Sequence, residues 1–251
     1  MRLAEAATIP LSAMTAAIHL YQVLHLPLPW APATEATPLL IYGGASAVGA
    51  YAIKLAKLSN IYPLIVVAGR GIPFVENLID RSQGDTVLDY RNGDDKIVGD
   101  LRDALGGRKL EYALDAVSEK NSYVNIDKVI EATGQVSLVL SAKEKVMPSG
   151  LKLVFRSVGT VHGPVAKDTR DGKHRAKIGD VQFGGVFFRF FAQGLRERWF
   201  TGHPYEVVPG GLRGLQVALK NLKEGRASAV KYIARLEDTE GLWPNPPLGA
   251  T

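Results

Sequence analysis

The chain has 251 residues, a formal net charge of +5 and no cysteine, and 46% of its residues are hydrophobic. Without cysteine it has neither disulfides nor a cysteine-ligated zinc ion. The composition is that of a globular protein rather than a fibre or a disordered tail. We expect one large domain, or one domain and part of a second, in the cytoplasm.

Neither charge nor hydropathy indicates binding to nucleic acid or to a membrane. The densest basic cluster, Lys167 to Lys177, also contains Asp168 and Asp171, which is typical of a solvated loop. No nucleic-acid-binding motif is present. The N-terminal residues lack the features of a signal peptide, and no apolar run is long enough to predict a membrane span.

The N-terminal segment predicts a helix followed by a connector. Pro10 suits a first helical turn, and apolar residues follow at helical spacing, which predicts a helix over Leu11–Leu24. The proline-rich run Leu26–Pro32 ends that helix and predicts extended backbone. We assign residues 1–30 to this helix and connector.

Strands and helices alternate from residue 31 to residue 162, which predicts βαβ units and a parallel sheet. The doubly wound dinucleotide-binding fold requires six strands, and six are found, so we predict an α/β protein with a six-stranded Rossmann sheet. The predicted strands are Leu39–Tyr42, Leu64–Val67, Thr86–Asp89, Tyr112–Ala116, Gly134–Leu140 and Leu153–Val158. The predicted helices between them are Val48–Leu58, Phe74–Arg81, Asp94–Leu105 and Tyr123–Ala132.

The pattern changes in the C-terminal segment, residues 163–251. A long polar loop at 163–177 precedes a predicted helix at Val181–Trp199. Strands are predicted at Glu206–Val208 and Ala229–Leu236, on either side of a helix at Leu212–Lys223.

A turn of small residues joins the first strand to the next helix. Small residues allow a tight turn and a close approach of a ligand to the backbone, and the free N–H groups of the helix suit a phosphate. The spacing differs from G-x-G-x-x-G, and a tight turn without a ligand has the same pattern. The candidate pyrophosphate-binding residues are Gly44, Ala45, Ser46, Ala47, Val48 and Gly49.

The end of the second strand bears on the choice of cofactor. NAD-binding folds place an Asp or Glu there, bonded to the ribose 2′-hydroxyl, whereas here Ala68, Gly69, Arg70 and Gly71 follow the strand. Arg70 can pair with a 2′-phosphate through charge-assisted hydrogen bonds; the alternative is an exposed loop arginine. The missing acid and the available base both favour NADP(H).

Other strand ends supply further candidates. Tyr90 ends the third strand, where it contacts adenosine or packs in the core. Val117 follows the fourth strand on the cofactor side. Val158, Gly159 and Thr160 follow the sixth strand, where backbone groups can hold a nicotinamide.

No catalytic residue is evident. The five histidines share no metal-ligand spacing, so we expect no metal site. His162 follows the candidate nicotinamide loop and is either a proton donor or a solvent-facing residue. Neither a hydrolase nucleophile elbow nor a Walker motif is found.

The chain resembles the medium-chain dehydrogenase/reductase superfamily, in particular its zinc-independent quinone oxidoreductases and enoyl reductases, which include fungal trans-acting enoyl reductases. Four stretches carry the resemblance. They are Glu5–Leu11 with Thr15 and Ala16, Tyr42–Gly49, Asp85–Tyr90 and Gly225–Tyr232.

The resemblance implies roles for matched positions. Ser46, Ala47 and Val48 would contact the pyrophosphate, Tyr90 would lie near the adenosine, and Val158–Thr160 would bracket the nicotinamide. Ala227 and Ser228 would approach the nicotinamide end. Family members begin with a GroES-like domain that forms much of the substrate cleft, and this chain begins at the hinge helix. Its C-terminal segment corresponds to a partial remnant of that catalytic domain.

The implied function is an NADPH-dependent reductase that transfers hydride to the β-carbon of a conjugated carbonyl in a small-molecule substrate. The alternative is a shortened homologue that binds NADP(H) as a scaffold or catalyses a non-redox step such as a cyclisation. The family also implies a homodimer that pairs through the edge of the cofactor sheet.

Overall fold

The computed structural model describes residues 3–142, 147, 149–162 and 178–241. Its main feature is a sheet of six parallel strands in the order β3-β2-β1-β4-β5-β6, which confirms the predicted doubly wound fold. The strands are β1 (Leu39–Tyr42), β2 (Leu64–Ala68), β3 (Thr86–Asp89), β4 (Tyr112–Asp115), β5 (Gln135–Leu138) and β6 (Leu153–Phe155).

The register places the strand ends side by side. Tyr42, the last residue of β1, lies between Val67 of β2 and Asp115 of β4. The chain crosses from one half of the sheet to the other between β3 and β4, so β1 and β4 flank the point where the strand order reverses. Ligands of open α/β sheets bind at the carboxyl ends of the strands at this point.

Eight α-helices surround the strands in the described part of the chain. They are α1 (Leu3–Ala6), α2 (Pro10–Ala17), α3 (Ala47–Leu58), α4 (Ile72–Glu76), α5 (Asp94–Leu105), α6 (Ser122–Asp127), α7 (Ile178–Glu197) and α8 (Leu215–Lys223). One apolar core, with residues of α2, α3 and α7, covers one face of the sheet, and a second, with residues of α5 and α6, covers the other. Full burial of one Val, Leu, Ile, Phe or Met side chain stabilises the folded protein by about 1.5–3 kcal/mol.

The N-terminal helix continues beyond the end of α2. After α2 it continues as a π-helical segment, Ile18–Val23, and Met14, Ile18 and Leu20 are fully buried. By length and composition, Leu3–Val23 is the one helical stretch of the described residues that can cross a membrane. Its most apolar window is 61% buried, as is usual for a helix in a protein core.

Two predicted helices are shorter than the sequence pattern indicates. The helix predicted at Phe74–Arg81 ends at Glu76, because the Asp80 side chain accepts hydrogen bonds from Ser82 and forms a separate turn. The helix predicted at Tyr123–Ala132 ends at Asp127, and the chain then turns so that Glu131 N–H donates to the Leu110 carbonyl.

The C-terminal segment forms a small unit with its own sheet. β7 (Tyr205–Val208) and β8 (Lys231–Ala234) are parallel, and α8 connects them, as the alternation in the sequence predicts. Five leucines among its described residues leave at least two fifths of their surface exposed: Leu212, Leu215, Leu219, Leu222 and Leu236. The polar loop predicted at 163–177 lies outside the described residues, and the boundaries at 30 and 162 stay predictions.

Candidate cofactor-binding site

The turn between β1 and α3 is held by backbone hydrogen bonds. The N–H groups of Gly43 and Gly44 both donate to the Val67 carbonyl at 2.9 Å, and Ser46 N–H donates to the Gly43 carbonyl at the same distance. The turn is therefore fixed to β2 as well as to its own strand and helix.

Two glycines of the turn lie too close to their surroundings for any side chain. A Cβ on Gly44 would lie 2.1 Å from Val66 Cγ1, and a Cβ on Gly49 would lie 2.3 Å from the Gly43 carbonyl oxygen. Gly44 therefore allows the turn to pack on β2, and Gly49 allows α3 to start directly above the strand end.

Ser46 is the N-cap of α3. Its Oγ accepts a hydrogen bond from Gly49 N–H at 3.0 Å, which leaves its own hydroxyl proton free to donate. The next two backbone donors, at Ala47 and Val48, have no acceptor among the described residues. Free N–H groups at a helix N-terminus, with the positive end of the helix dipole, fit a phosphate group.

A cleft of about 370 Å³, hereafter the cofactor cleft, opens beside this turn. Three parts of the chain form its walls: the glycine turn, the ends of β2, β3 and β4, and a segment that precedes β8. Its lining residues are Gly43, Ala45, Ser46, Ala47, Ala68, Gly69, Arg70, Gly71, Tyr90, Val117, Ala227, Ser228, Ala229 and Val230.

Close packing joins the loop after β2 to two other walls of the cleft. A Cβ on Gly69 would lie 2.7 Å from the Tyr90 ring, and a Cβ on Gly71 would lie 2.4 Å from that of Ala45. Arg70, between them, is exposed and donates a hydrogen bond to the Gly225 carbonyl. No lining residue is a carboxylate, so this wall lacks the usual partner of a ribose 2′-hydroxyl.

Asp115 organises the loop that follows β4. It is fully buried, and its Oδ1 accepts hydrogen bonds from Val117 N–H at 2.9 Å and Ser118 N–H at 2.7 Å, while Ser122 Oγ donates to Oδ2 at 2.5 Å. Burial raises the pKa of Asp115, and these three hydrogen bonds oppose that rise. The carboxylate fixes the backbone that carries Val117 into the cofactor cleft.

Most of the predicted cofactor residues meet at one place. Ala45, Ser46, Ala47, Arg70, Tyr90, Val117 and Ser228 line the cofactor cleft. Gly44, Val48 and Gly49 lie beside them in the turn and the first turn of α3. Their roles toward a cofactor stay predictions.

The candidate nicotinamide loop lies elsewhere. Val158, Gly159 and Thr160 belong to a short 3-10 helix after β6, and none of them lines the cofactor cleft. Thr160 instead lines a second cleft with Gln22, Arg156 and Asp180, in which Arg156 and Asp180 form an ion pair of 2.5 Å. The proposed role of this loop at the nicotinamide also stays a prediction.

The sequence pattern marks the end of the fourth strand and Val117, but it assigns no role to Asp115 or Ser118. The signal was a carboxylate at the end of an apolar strand with a serine three residues later, which is typical of a side chain that caps the following turn. The exposed His162 packs its ring against Phe188, with centroids 5.6 Å apart. Among the described residues, no three His, Asp or Glu side chains are grouped to hold a metal ion.

Comparisons with known proteins agree with this fold. The chain is 42% identical over 214 residues to the trans-enoyl reductase fsr4 of Gibberella fujikuroi, an alignment that covers 84% of the chain and 59% of the relative. The crystal structure of CurK enoyl reductase has a similar fold, with a TM-score of 0.67 and 15% identity over 93% of this chain and 64% of that one. No family model matches the chain.

The chain is thus similar in sequence to a trans-enoyl reductase over most of its own length. Its fold is similar to that of CurK enoyl reductase and to that of an alcohol dehydrogenase superfamily protein from Novosphingobium aromaticivorans. CurA from Vibrio vulnificus, solved in complex with NADPH, shares the fold with a TM-score of 0.56 and 14% identity over 88% of this chain and 61% of that one. The chain spans less than two thirds of the length of each of these proteins.

Proposed function

We propose that this protein binds NADPH in the cofactor cleft and reduces the carbon–carbon double bond of a conjugated carbonyl substrate. The observation that carries the proposal is the cofactor cleft itself. It joins the N-terminus of α3, a loop with arginine and no carboxylate, and the segment 227–230 around one cavity.

The chemistry of each wall suits one part of the cofactor. Free donors at Ala47 and Val48 and the Ser46 hydroxyl fit the pyrophosphate. The Arg70 guanidinium fits a 2′-phosphate, because a charge-assisted hydrogen bond to phosphate is about twice as strong as a neutral one. The Tyr90 ring, packed on Gly69, offers a flat apolar surface to the adenine.

The names of the relatives support the substrate class. NADPH would supply the hydride, and the chain's own residues would bind and orient the cofactor and keep water from its reactive end. Because the chain spans 59% of fsr4, the reductase activity of the whole relative is part of this proposal. The comparisons do not favour the alternative of a scaffold or cyclase, and the homodimer and the cytoplasmic location stay predictions.

Two measurements test the proposal. Calorimetric titration of the purified chain with NADPH and with NADH measures affinity and preference, and we expect tighter binding of NADPH. An α,β-unsaturated thioester is then added with NADPH, and the loss of reduced-nicotinamide absorbance is followed together with the mass of the product, which is expected to gain two hydrogens.

Each result bears on a different part of the proposal. If neither nucleotide binds, the cofactor assignment is wrong. If NADPH binds but the thioester remains unreduced, the cofactor assignment stands and the reductase assignment fails.

A further inference from the structure

We propose that Asp115 is a positioning residue that holds the site for the nicotinamide half of the cofactor, acting through the backbone at the ends of β4 and β5. The proposal rests on the NADPH-binding function proposed above. Asp115 is fully buried, so it acts through its neighbours rather than by touching a ligand.

Asp115 reaches the cofactor cleft through Val117. Its Oδ1 accepts from Val117 N–H, and the Val117 side chain lies against the glycine turn, where a Cβ on Gly43 would be 2.7 Å from Val117 Cγ2. The carboxylate therefore fixes the wall of the cofactor cleft that follows β4.

Asp115 reaches β5 through Ser118. The Asp115 carboxylate accepts from Ser118 N–H and holds Ser118 at a φ of 56°, a left-handed conformation that costs energy for a residue with a side chain. The Ser118 hydroxyl donates to the Asp115 carbonyl and accepts from Val139 N–H at 3.1 Å and Leu140 N–H at 3.2 Å. The ends of β4 and β5 thus form one hydrogen-bonded unit.

This unit lies in the second half of the sheet. In a doubly wound fold each half binds one mononucleotide, and here β1 to β3 carry the glycine turn, Arg70 and Tyr90. The other nucleotide then lies over the ends of β4 and β5, where the Asp115 network fixes the backbone. Loss of the carboxylate would loosen this half and leave the adenosine half unchanged.

A fragment of the cofactor allows the two halves of the binding site to be tested separately. Adenosine 2′,5′-bisphosphate carries the adenosine and its phosphates but no nicotinamide. We expect Asp115→Ala to weaken NADPH binding roughly tenfold, because buried donors lose their acceptor, and to leave the affinity for adenosine 2′,5′-bisphosphate within about twofold of the wild type.

Asp115→Asn is the rescue variant. The Asn oxygen can accept from Val117 and Ser118, and its amide can donate to Ser122 Oγ, so NADPH affinity is expected within about threefold of the wild type. If Asp115→Ala does not fold, Ser118→Ala tests the same unit. It removes the hydroxyl acceptor of Val139 and Leu140, keeps the Asp115 bonds to Val117 and Ser122, and is expected to weaken the binding of NADPH but not of the bisphosphate.

The outcomes are separable. Equal weakening of both ligands in the folded variants, or no weakening of NADPH, overturns the positioning role and leaves the proposed function intact. A wild-type protein that does not bind NADPH overturns both.

Discussion

Arg70 donates a hydrogen bond from its Nη2 to the backbone carbonyl of Gly225, which ties the loop after β2 to the chain that follows α8. The contact lies beside the cofactor cleft, because Arg70 and the segment 227–230 both line it. The partner is a neutral carbonyl at the protein surface, so a phosphate can replace it at a gain in hydrogen-bond strength.

Arg70→Ala is expected to reduce the preference for NADPH over NADH. Charge-assisted hydrogen bonds contribute about 1.5–3 kcal/mol, so NADPH affinity should fall at least roughly tenfold while NADH affinity changes little. Calorimetric titration of both nucleotides measures the two dissociation constants. An unchanged ratio would show that Arg70 does not bind the 2′-phosphate.

Arg91→Ala is the matched control for this experiment. Arg91 follows Tyr90 at the same edge of the sheet, but its guanidinium is paired with Asp89 at 2.6 Å. Its loss removes one positive charge from the same region and should leave the ratio of the two affinities as in the wild type.

Ser46 allows the helix cap and the phosphate site to be tested separately. Ser46→Asp keeps a good N-cap, so the free energy of unfolding should stay within about 0.5 kcal/mol of the wild type. The added negative charge faces the site proposed for the pyrophosphate, and NADPH affinity should fall at least roughly tenfold.

Ser46→Ala, in contrast to Ser46→Asp, should be less stable than the wild type. Loss of the cap is expected to lower the free energy of unfolding by about 0.5–2 kcal/mol. Urea denaturation and calorimetric titration of both variants make the comparison. Wild-type affinity in Ser46→Asp would place the phosphate away from the α3 N-terminus.

Gly49→Ala is expected to destabilise the protein by at least about 2 kcal/mol. The new Cβ would lie 2.3 Å from the Gly43 carbonyl oxygen and 2.8 Å from Gly44 Cα, and neither backbone atom can move without opening the turn. Urea denaturation measures the change.

Gly99→Ala is the control for that substitution. Gly99 lies inside α5, where a Cβ would meet no atom within 4 Å. Because alanine favours the helix over glycine, this variant should be more stable by about 0.5–1 kcal/mol. Equal effects of the two substitutions would contradict the tight packing of the glycine turn.

The sequence predicts the sheet well, because short apolar runs between small-residue turns leave few other arrangements. All six strands lie within a few residues of the predicted bounds. The ends of α4 and α6 could not be predicted in the same way. They depend on the Asp80 side-chain turn and on the bond from Glu131 N–H to the Leu110 carbonyl.

The candidate site was likewise predictable in part. The glycine turn, Arg70 and Tyr90 follow predicted strand ends, and the parallel sheet brings them together. The Asp115 network joins β4 to β5 through a left-handed serine, and the position of Thr160 depends on packing against α7 and α2. Such contacts between distant segments leave no periodic pattern in a single sequence.

His19 is expected to make the protein less stable in acid. It is fully buried, its Nδ1 is 2.6 Å from Ser137 Oγ, and burial followed by the nearby Arg156 charge lowers its pKa from 6.5 to about 4. Between these values the unfolded chain binds a proton that the folded protein does not. The free energy of unfolding therefore falls as the pH decreases from 6.5 to about 4, by up to roughly 3 kcal/mol.

His19→Asn removes this titration and isolates it from the acid effects of other groups. Urea denaturation at several pH values should show that the stability difference between wild type and His19→Asn shifts in favour of the variant as the pH falls through this range. His25→Asn is the control, because His25 is exposed and asparagine tolerates its φ of 53°. A difference between wild type and His19→Asn that does not change with pH would contradict a neutral, buried His19.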